Sequence, residues 1–284
     1  MKISGLGVMA VLRDEAATLR PWLRVLEELE VSYCGSIVYS FVENDSLDDT
    51  PAILQAWLRQ RPGCLISERL GRPSLRQGRS VNRTIALASA RNLALERLLQ
   101  HPVEWVAVVD GGLELSAGHL LRMILQLFRQ PTIAMVAASA IQNVPDVAGQ
   151  HAFSHYDSWA LLDRQGRGGI TFAANPLWDP IDRGRWQQGL PVAVSSAFGG
   201  LAVVRRTAIE ATSARWHGAH GCEHWSFCSQ LQAFGPVLVD PKVQPFMRHQ
   251  HPPRWSEGYA HKVRQSLLKV ADECAVSVFR QSVS

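Results

Sequence analysis

The sequence predicts an α/β fold: a mostly parallel central sheet flanked by helices, followed by a less regular second half. Three observations predict it. Short apolar runs alternate with helical periodicities from Gly5 to Ala140. Polar residues stand where the apolar runs stop: Arg13, Glu43-Asn44-Asp45 and Asp110. Beyond residue 140 the periodicity fades, yet aromatic residues persist. Strand and helix in alternation imply parallel strands with helices on both faces. Ligands of such sheets bind beyond the carboxyl ends of the strands, where these polar residues lie.

The elements follow in order. Gly5 to Leu12 is a short apolar run closed by Arg13-Asp14-Glu15, a buried strand rather than a signal peptide. Thr18 to Glu30 carries Leu19, Trp22, Leu23, Leu26 and Leu29 at helical spacing. Ser36 to Glu43 is β-branched and aromatic, hence a second strand. Asn44 to Asp49 is a turn cluster, and Thr50-Pro51 reads as an N-cap followed by proline at the first helical position, opening a helix to Arg61. Cys64 to Glu68 is a third strand and residues 69–80 a loop. Ser80 to Leu99 is a helix with Ile85, Ala88, Leu95 and Leu98 on its apolar side. Trp105 to Val109 is a buried strand ending at Asp110, followed by a helix over Ala117 to Arg129 and a strand over Thr132 to Ala140. Residues 141–195 form a long irregular stretch, which in a compact domain is functional or disordered. Phe153, Tyr156, Trp159, Phe172, Trp178 and Trp186 argue against disorder. The division predicted is one domain over residues 1–256 and a helical tail over residues 257–284.

With 284 residues, 46% of them hydrophobic, the chain can bury a substantial core. A net charge of +4, scattered along the chain, suits an anionic ligand or membrane surface and is too weak to suggest nucleic acid. Five cysteines at wide spacings make neither a zinc site nor a disulfide framework, so free thiols in a reducing compartment are expected. No stretch reaches the ~18 apolar residues of a membrane span. These features predict a soluble, cytoplasmic chain. Two readings stay open for the tail: a helix packed on the domain, or one lying on the inner face of the membrane.

Several constellations carry chemistry. Glu43, Asp45, Asp48 and Asp49 can accept hydrogen bonds from a ribose or a base, or can make a plain turn through their own side chains. Arg83 and Arg91, eight apart on one helix, share a face; their forks match phosphate, though spacing alone is equally that of two solvated arginines. Asp110 leaves a buried strand and needs a partner, which a divalent metal bridging a diphosphate would be; Gly111 and Gly112 let a ligand approach the backbone. Tyr156, Asp157 and Trp159, with Asp163, offer aromatic faces and carboxylates suited to sugars, or are ordinary core. Glu223 beside His224 invites acid/base chemistry, but adjacent helical residues diverge, so one of the pair should point elsewhere. His249 and His251, two apart on an extended chain, have metal-ligand spacing.

The ordered set resembles the fungal capsule-associated α-1,3-mannosyltransferase family, whose members look like GT-A glycosyltransferases. The resemblance runs from about Val8 to Pro245 and rests on five segments: Glu43-Asn44-Asp45-Ser46-Leu47-Asp48-Asp49-Thr50, Arg83 to Asn92, Tyr156-Asp157-Ser158-Trp159 to Asp163, Ala197 to Val204, and Cys222-Glu223-His224. It implies transfer of a hexose from a GDP- or UDP-sugar, with retention at the anomeric carbon, to a glycan or lipid-linked acceptor. The irregular second half would then be the acceptor side. By the same resemblance Arg13, Glu43, Asp45, Arg83, Arg91, Asp110, Gly111 and Gly112 bind the donor. Tyr156, Trp159 and Trp225 bind the acceptor, and Glu223 and Asp157 stand at the reacting centre. Mn2+ or Mg2+ would be held by Asp110, His249 and His251. One position departs from the family's Asp-X-Asp element: its third residue is Gly112, with Glu114 the nearest acid beyond it. The alternative this suggests is a non-catalytic relative that binds the nucleotide-sugar.

Overall fold

Uninterrupted apolar runs become the centre of the sheet. The computed structural model describes residues 4–71, 80–145, 151–171 and 175–248. Strand β1 (Gly5–Leu12) pairs in parallel with β2 (Ile37–Asn44) and with β4 (Val103–Val109). Strand β3 (Gly63–Glu68) continues the parallel array beyond β2. Four consecutive strands therefore end on one edge, which gathers Arg13, Asp45 and Asp110.

Helices cover both faces. On one, α1 (Ala16–Ser32), α2 (Thr50–Leu58) and α4 (Ala117–Arg129) pack Leu19, Trp22, Leu26, Leu54 and Leu120 against β1, β2 and β4. On the other, α3 (Val81–Leu98), α6 (Arg206–Thr212) and α7 (Glu223–Leu231) bury Ala88, Leu95, Leu98, Ile209 and Phe227. The large sheet has eight strands in the order β3-β2-β1-β4-β10-β6-β11-β9, with β6 (Met135–Ala138), β9 (Val192–Val194), β10 (Leu201–Arg205) and β11 (Val237–Asp240) completing it. Strand β10 lies antiparallel between β4 and β6. A smaller sheet in the order β5-β12-β7-β8 joins β5 (Leu113–Glu114), β7 (Ile141–Pro145), β8 (His151–His155) and β12 (Phe246–Met247).

Three expectations need correction. Thr50 does not cap α2 through its side chain; it is fully buried, and its hydroxyl accepts the Glu15 amide at 2.7 Å. The buried face of α3 is Thr84, Ala88, Arg91, Ala94, Leu95 and Leu98, and Ile85 is 44% exposed. The helix is rotated so that polar residues share the core-facing stripe, which hydrophobicity alone cannot signal. The stretch 141–195 is not irregular throughout: it holds the β7–β8 hairpin, α5 (Pro180–Gln187) and β9. The division at residue 256 and the tail beyond it lie outside the described residues. Among the described residues no helix is long and apolar enough to cross a membrane.

Candidate active site

Arg91 is the centre of the site. It projects from the third turn of α3 into the core and is only 4% exposed. An isolated buried guanidinium is very costly, so it must be paired. One of its nitrogens donates to Glu223 Oε1 in a very short contact, and another to Asp110 Oδ1 at 3.1 Å. The guanidinium also lies over the Phe198 ring, 5.1 Å from its centroid. Three elements thus meet through one side chain: α3, the end of β4 and the start of α7. The next residue locks the arrangement. Asn92 donates to the Trp216 carbonyl at 2.9 Å and accepts the Trp216 amide at 3.0 Å. The two-solvated-arginine reading therefore fails for Arg91. Its neighbour Arg83 has no ion-pair partner among the described residues, and its charge acts on Asp110, Tyr156 and His224.

Glu223 and His224 do not diverge. At the first turn of α7 both are buried, with His224 Nε2 3.6 Å from Glu223 Oε1. The first residue of a helix has no preceding turn to steer it, so its side chain can fold toward its neighbour. His224 Nδ1 accepts from Trp216 Nε1 at 3.3 Å, and the ring stacks on Phe198 with centroids 4.0 Å apart. Among the described residues Nε2 has no hydrogen-bond partner. Phe198 was reached from the sequence only through the family-like segment; its local signal is the glycine pair behind it. Gly199 has φ +61, and a Cβ there would fall 2.3 Å from the Ala138 carbonyl oxygen, so only glycine makes this turn. The Gly200 carbonyl then accepts the Asp110 amide at 2.8 Å.

The cluster divides its protons unevenly. Burial pushes Glu223 up, but the Arg91 guanidinium outweighs it, and the net direction is down. Glu223 is therefore ionised. Burial raises Asp110, against the pull of Arg91, although its side chain keeps 24% exposure toward the site. Burial, then the Asp110 and Glu223 carboxylates, raise Asp157 to about 7. Burial and the Arg91 charge lower His224 to about 3, so this imidazole is neutral. Burial and the charges of Asp110 and Asp157 keep the Tyr156 hydroxyl protonated. Two carboxyls of one cluster are held apart in acidity, a pattern found where acid and base roles are divided.

Asp157 stands at φ 60, a left-handed conformation that aspartate tolerates better than most residues. It opens a turn in which its backbone oxygen accepts the Ala160 amide at 3.0 Å. Two residues on, the Trp159 carbonyl accepts from Trp225 Nε1 at 2.9 Å, with the two rings edge to face at 6.0 Å. The predicted acceptor residues Trp159 and Trp225 are thus neighbours.

Glu43 and Asp45 belong to a separate arrangement. Glu43 is 2% exposed and both oxygens are engaged: one accepts the Ser46 amide at 2.7 Å, the other the Ser67 hydroxyl at 2.6 Å. Asp45 accepts the Gly71 amide at 2.8 Å and lies 3.9 Å from Arg13. Ser46 Oγ accepts the Asp14 amide, and Asp48 Oδ2 the Ala16 amide, both at 3.0 Å. The segment from Glu43 to Thr50 therefore stitches the turn after β1 to the turn after β2. Of the two readings open for it, turn-making describes Glu43, Ser46, Asp48 and Thr50.

Gly112 has φ +68, and a Cβ there would meet Glu15 Oε2 at 3.3 Å. The place of the missing third acid is faced by a carboxylate from the turn after β1, a residue sequence reasoning did not single out. Glu114, the nearest acid beyond Gly112, is ion-paired with Arg248. Among the described residues no three Asp, Glu, His or Cys side chains are grouped as a metal site. His249 and His251 lie outside the described residues. Cys34, Cys64, Cys222 and Cys228 are free thiols; Cys274 is outside the described residues.

Residues 8–233 match the family described as Cryptococcal mannosyltransferase 1. The chain belongs to this family. Its fold is that of the GT-A glycosyltransferases. It is similar to the mannosyltransferase PcManGT from Pyrobaculum calidifontis, solved in complex with GDP-Man and Mn2+: TM-score 0.52, 17% identity, covering 92% of this chain and 60% of that one. It is also similar to residues 1–349 of TarS from S. aureus, with TM-score 0.51, 14% identity and coverage of 87% and 60%. The same TarS segment in complex with UDP-GlcNAc matches at TM-score 0.50 and 12% identity, covering 95% and 65%. The chain thus spans about two thirds or less of the length of these solved relatives. No curated protein matches it. As a member of the Cryptococcal mannosyltransferase 1 family, the chain falls in a hexosyltransferase family.

Proposed function

We propose that the chain transfers a hexose from a nucleotide-sugar to a glycan or lipid-linked acceptor, with retention at the anomeric carbon. The observation that carries the reading is the convergence of Arg91, Asp110, Asp157 and Glu223 beside the carboxyl ends of the parallel strands. They come from four separate stretches of sequence, and the family resemblance assigns each of them to the same site. GDP-mannose and UDP-sugars are the donors to test, because the solved relatives hold one or the other.

The roles differ from a simple list of ligands. Arg91 is already neutralised by two carboxylates, so it positions Asp110 and Glu223 rather than holding the diphosphate. Arg83, whose charge reaches the same site, is the arginine proposed to face the diphosphate, where a fixed cation stabilises the departing negative charge. Asp110 keeps an exposed edge toward the donor. Asp157, poised near neutrality, is proposed to hold its own proton beside the acceptor and to orient the acceptor through it, with Tyr156, Trp159 and Trp225 shaping that side. The displaced diphosphate takes up the acceptor proton in a same-face substitution, so no covalent enzyme intermediate is invoked. Glu43 acts through the backbone of its turn, and Arg13 with Asp45 is left to meet the nucleoside.

The solved mannosyltransferase was in complex with Mn2+. In this chain the Asp-X-Asp element contributes one carboxylate, and Arg91 already pairs with it. That set does not fit a divalent ion held by the described residues alone, and no step here runs through one.

The direct test is nucleotide release from GDP-mannose, UDP-glucose and UDP-GlcNAc, with oligomannoside and lipid-phosphate acceptors. Acceptor-dependent release from one donor, lost in Arg83→Gln and Asp110→Asn, is expected. Tight nucleotide-sugar binding with no release under any acceptor favours the non-catalytic reading, which Gly112 motivates.

A further inference from the structure

We propose that the face formed by α5 and the turns beside it docks on an anionic membrane surface. This inference stands apart from the transferase reading, since it uses no residue of that site.

Three large apolar side chains are exposed here within a short span: Trp178 at 51%, Ile181 at 71% and Leu190 at 40%. Trp178 is the one exposed tryptophan among the described residues. It is held in place, with its indole N–H donating to the Gly168 carbonyl at 3.1 Å. A tryptophan fixed at a surface with its ring half in water is suited to the boundary between headgroups and acyl chains.

The charges around these side chains point the same way. Arg164 pairs with Asp182 at 2.7 Å, and Arg167 with Asp163 at 2.7 Å. In each pair the carboxylate is inside and the guanidinium outside: side-chain exposure is 3% for Asp182 and 1% for Asp163, against 55% for Arg164 and 47% for Arg167. Asp179 is turned onto the first amides of α5 as its N-cap. Arg183 and Arg185 are exposed on α5 itself, and Lys242 lies against Gly189. Ile181 and Arg185, four apart, share one side of the helix.

The acids are thus consumed by the fold, and the outward charge is cationic. Arg164 is tied to α5 through Asp182 and Trp178 to the turn at Gly168, so exposed apolar and cationic groups stand together at this surface. Exposed apolar side chains among outward guanidiniums complement a layer of anionic headgroups over acyl chains.

The test is co-sedimentation of the full chain with vesicles of phosphatidylcholine alone or mixed with phosphatidylglycerol. Pelleting with the anionic vesicles and not the neutral ones is expected, weakening as salt is added. The double change Arg183→Glu with Arg185→Glu should lower the partition coefficient about tenfold or more, since each basic residue near such a surface contributes on the order of 1 kcal/mol. Ile181→Glu should lower it as well. Both variants alter exposed side chains, and an unchanged melting temperature will show that each is folded. If either misfolds, Arg183→Gln with Arg185→Gln reads the same charge effect more gently. Variants that pellet like the wild type, or a wild type that pellets equally with neutral vesicles or not at all, would overturn the proposal. So would a dimer in sedimentation velocity that Ile181→Glu dissolves, because the face would then be a contact between copies.

Discussion

Two acid-rich clusters stand at the same edge of the sheet, and they satisfy their charges in opposite ways. In the turns after β1 and β2, Glu43 and Asp48 accept hydrogen bonds from backbone amides. Around Arg91, the carboxylates of Asp110 and Glu223 instead share one buried guanidinium. The first pattern fixes the chain path and leaves few oxygens for a ligand. The second makes several charges depend on one another and leaves Asp157 poised near neutrality. Residue type alone would treat the two as equivalent; the partners separate scaffold from chemistry.

The largest expected effect breaks the second cluster. Arg91→Met leaves Glu223 buried beside no cation, and removing one partner of a buried pair costs ~3–5 kcal/mol. In a domain of this size that lowers Tm by roughly 10 °C, readable by calorimetry. Arg91→Met together with Glu223→Leu should recover much of the loss, without activity.

Asp110→Asn tests the exposed edge of the same cluster. It should cut transfer by about 100-fold, the scale of losing one transition-state contact, with a much smaller change in Tm. An equal loss of both would return Asp110 to a purely structural role.

Asp157 sharpens the comparison through pH. Its folded-state pKa, about 7, lies above the ordinary carboxylate value. The native state therefore keeps a proton that the unfolded chain releases near pH 4. The stability this contributes is complete below that value and is lost as pH rises through about 7. Asp157→Asn removes the dependence. The variant should gain on the wild type between pH 5 and pH 8, by about 2–3 kcal/mol, in paired melts. A constant gap across that range would contradict the assignment.

The smallest effect belongs to the scaffold. Glu43→Gln replaces one accepting oxygen in the turn and should cost about 1 kcal/mol, while kcat of the folded enzyme stays within about twofold. A large fall in kcat would move Glu43 from scaffold to site.

Much of this was legible in sequence for physical reasons. Strands β1, β2 and β4 are apolar on both faces because helices cover both sides, and α4 runs from Ala117 to Arg129 as its pattern suggested. Asp110 was legible because a carboxylate leaving a buried strand demands a partner. The identity of that partner was not. A buried Arg91 and a solvated one have the same spacing, and only the packing of α7 against α3 distinguishes them. The same blindness placed Ile85 inside. The β7–β8 hairpin was missed because its strands are short and mixed in polarity. Antiparallel β10 was missed because nothing local records which strand it will join.

The central claim is that the Arg91 cluster lines a nucleotide-sugar site. Thermal-shift measurements with GDP, UDP and CMP and their sugar conjugates, each with Mn2+ and with EDTA, test it most directly. A ligand at one hundred times its Kd adds about 2.7 kcal/mol, a shift of several degrees in a chain of this size. The account predicts such a shift with one nucleotide family, reduced in Arg83→Gln and kept in Glu43→Gln. No shift with any nucleotide, or one lost in Glu43→Gln and kept in Arg83→Gln, would contradict it.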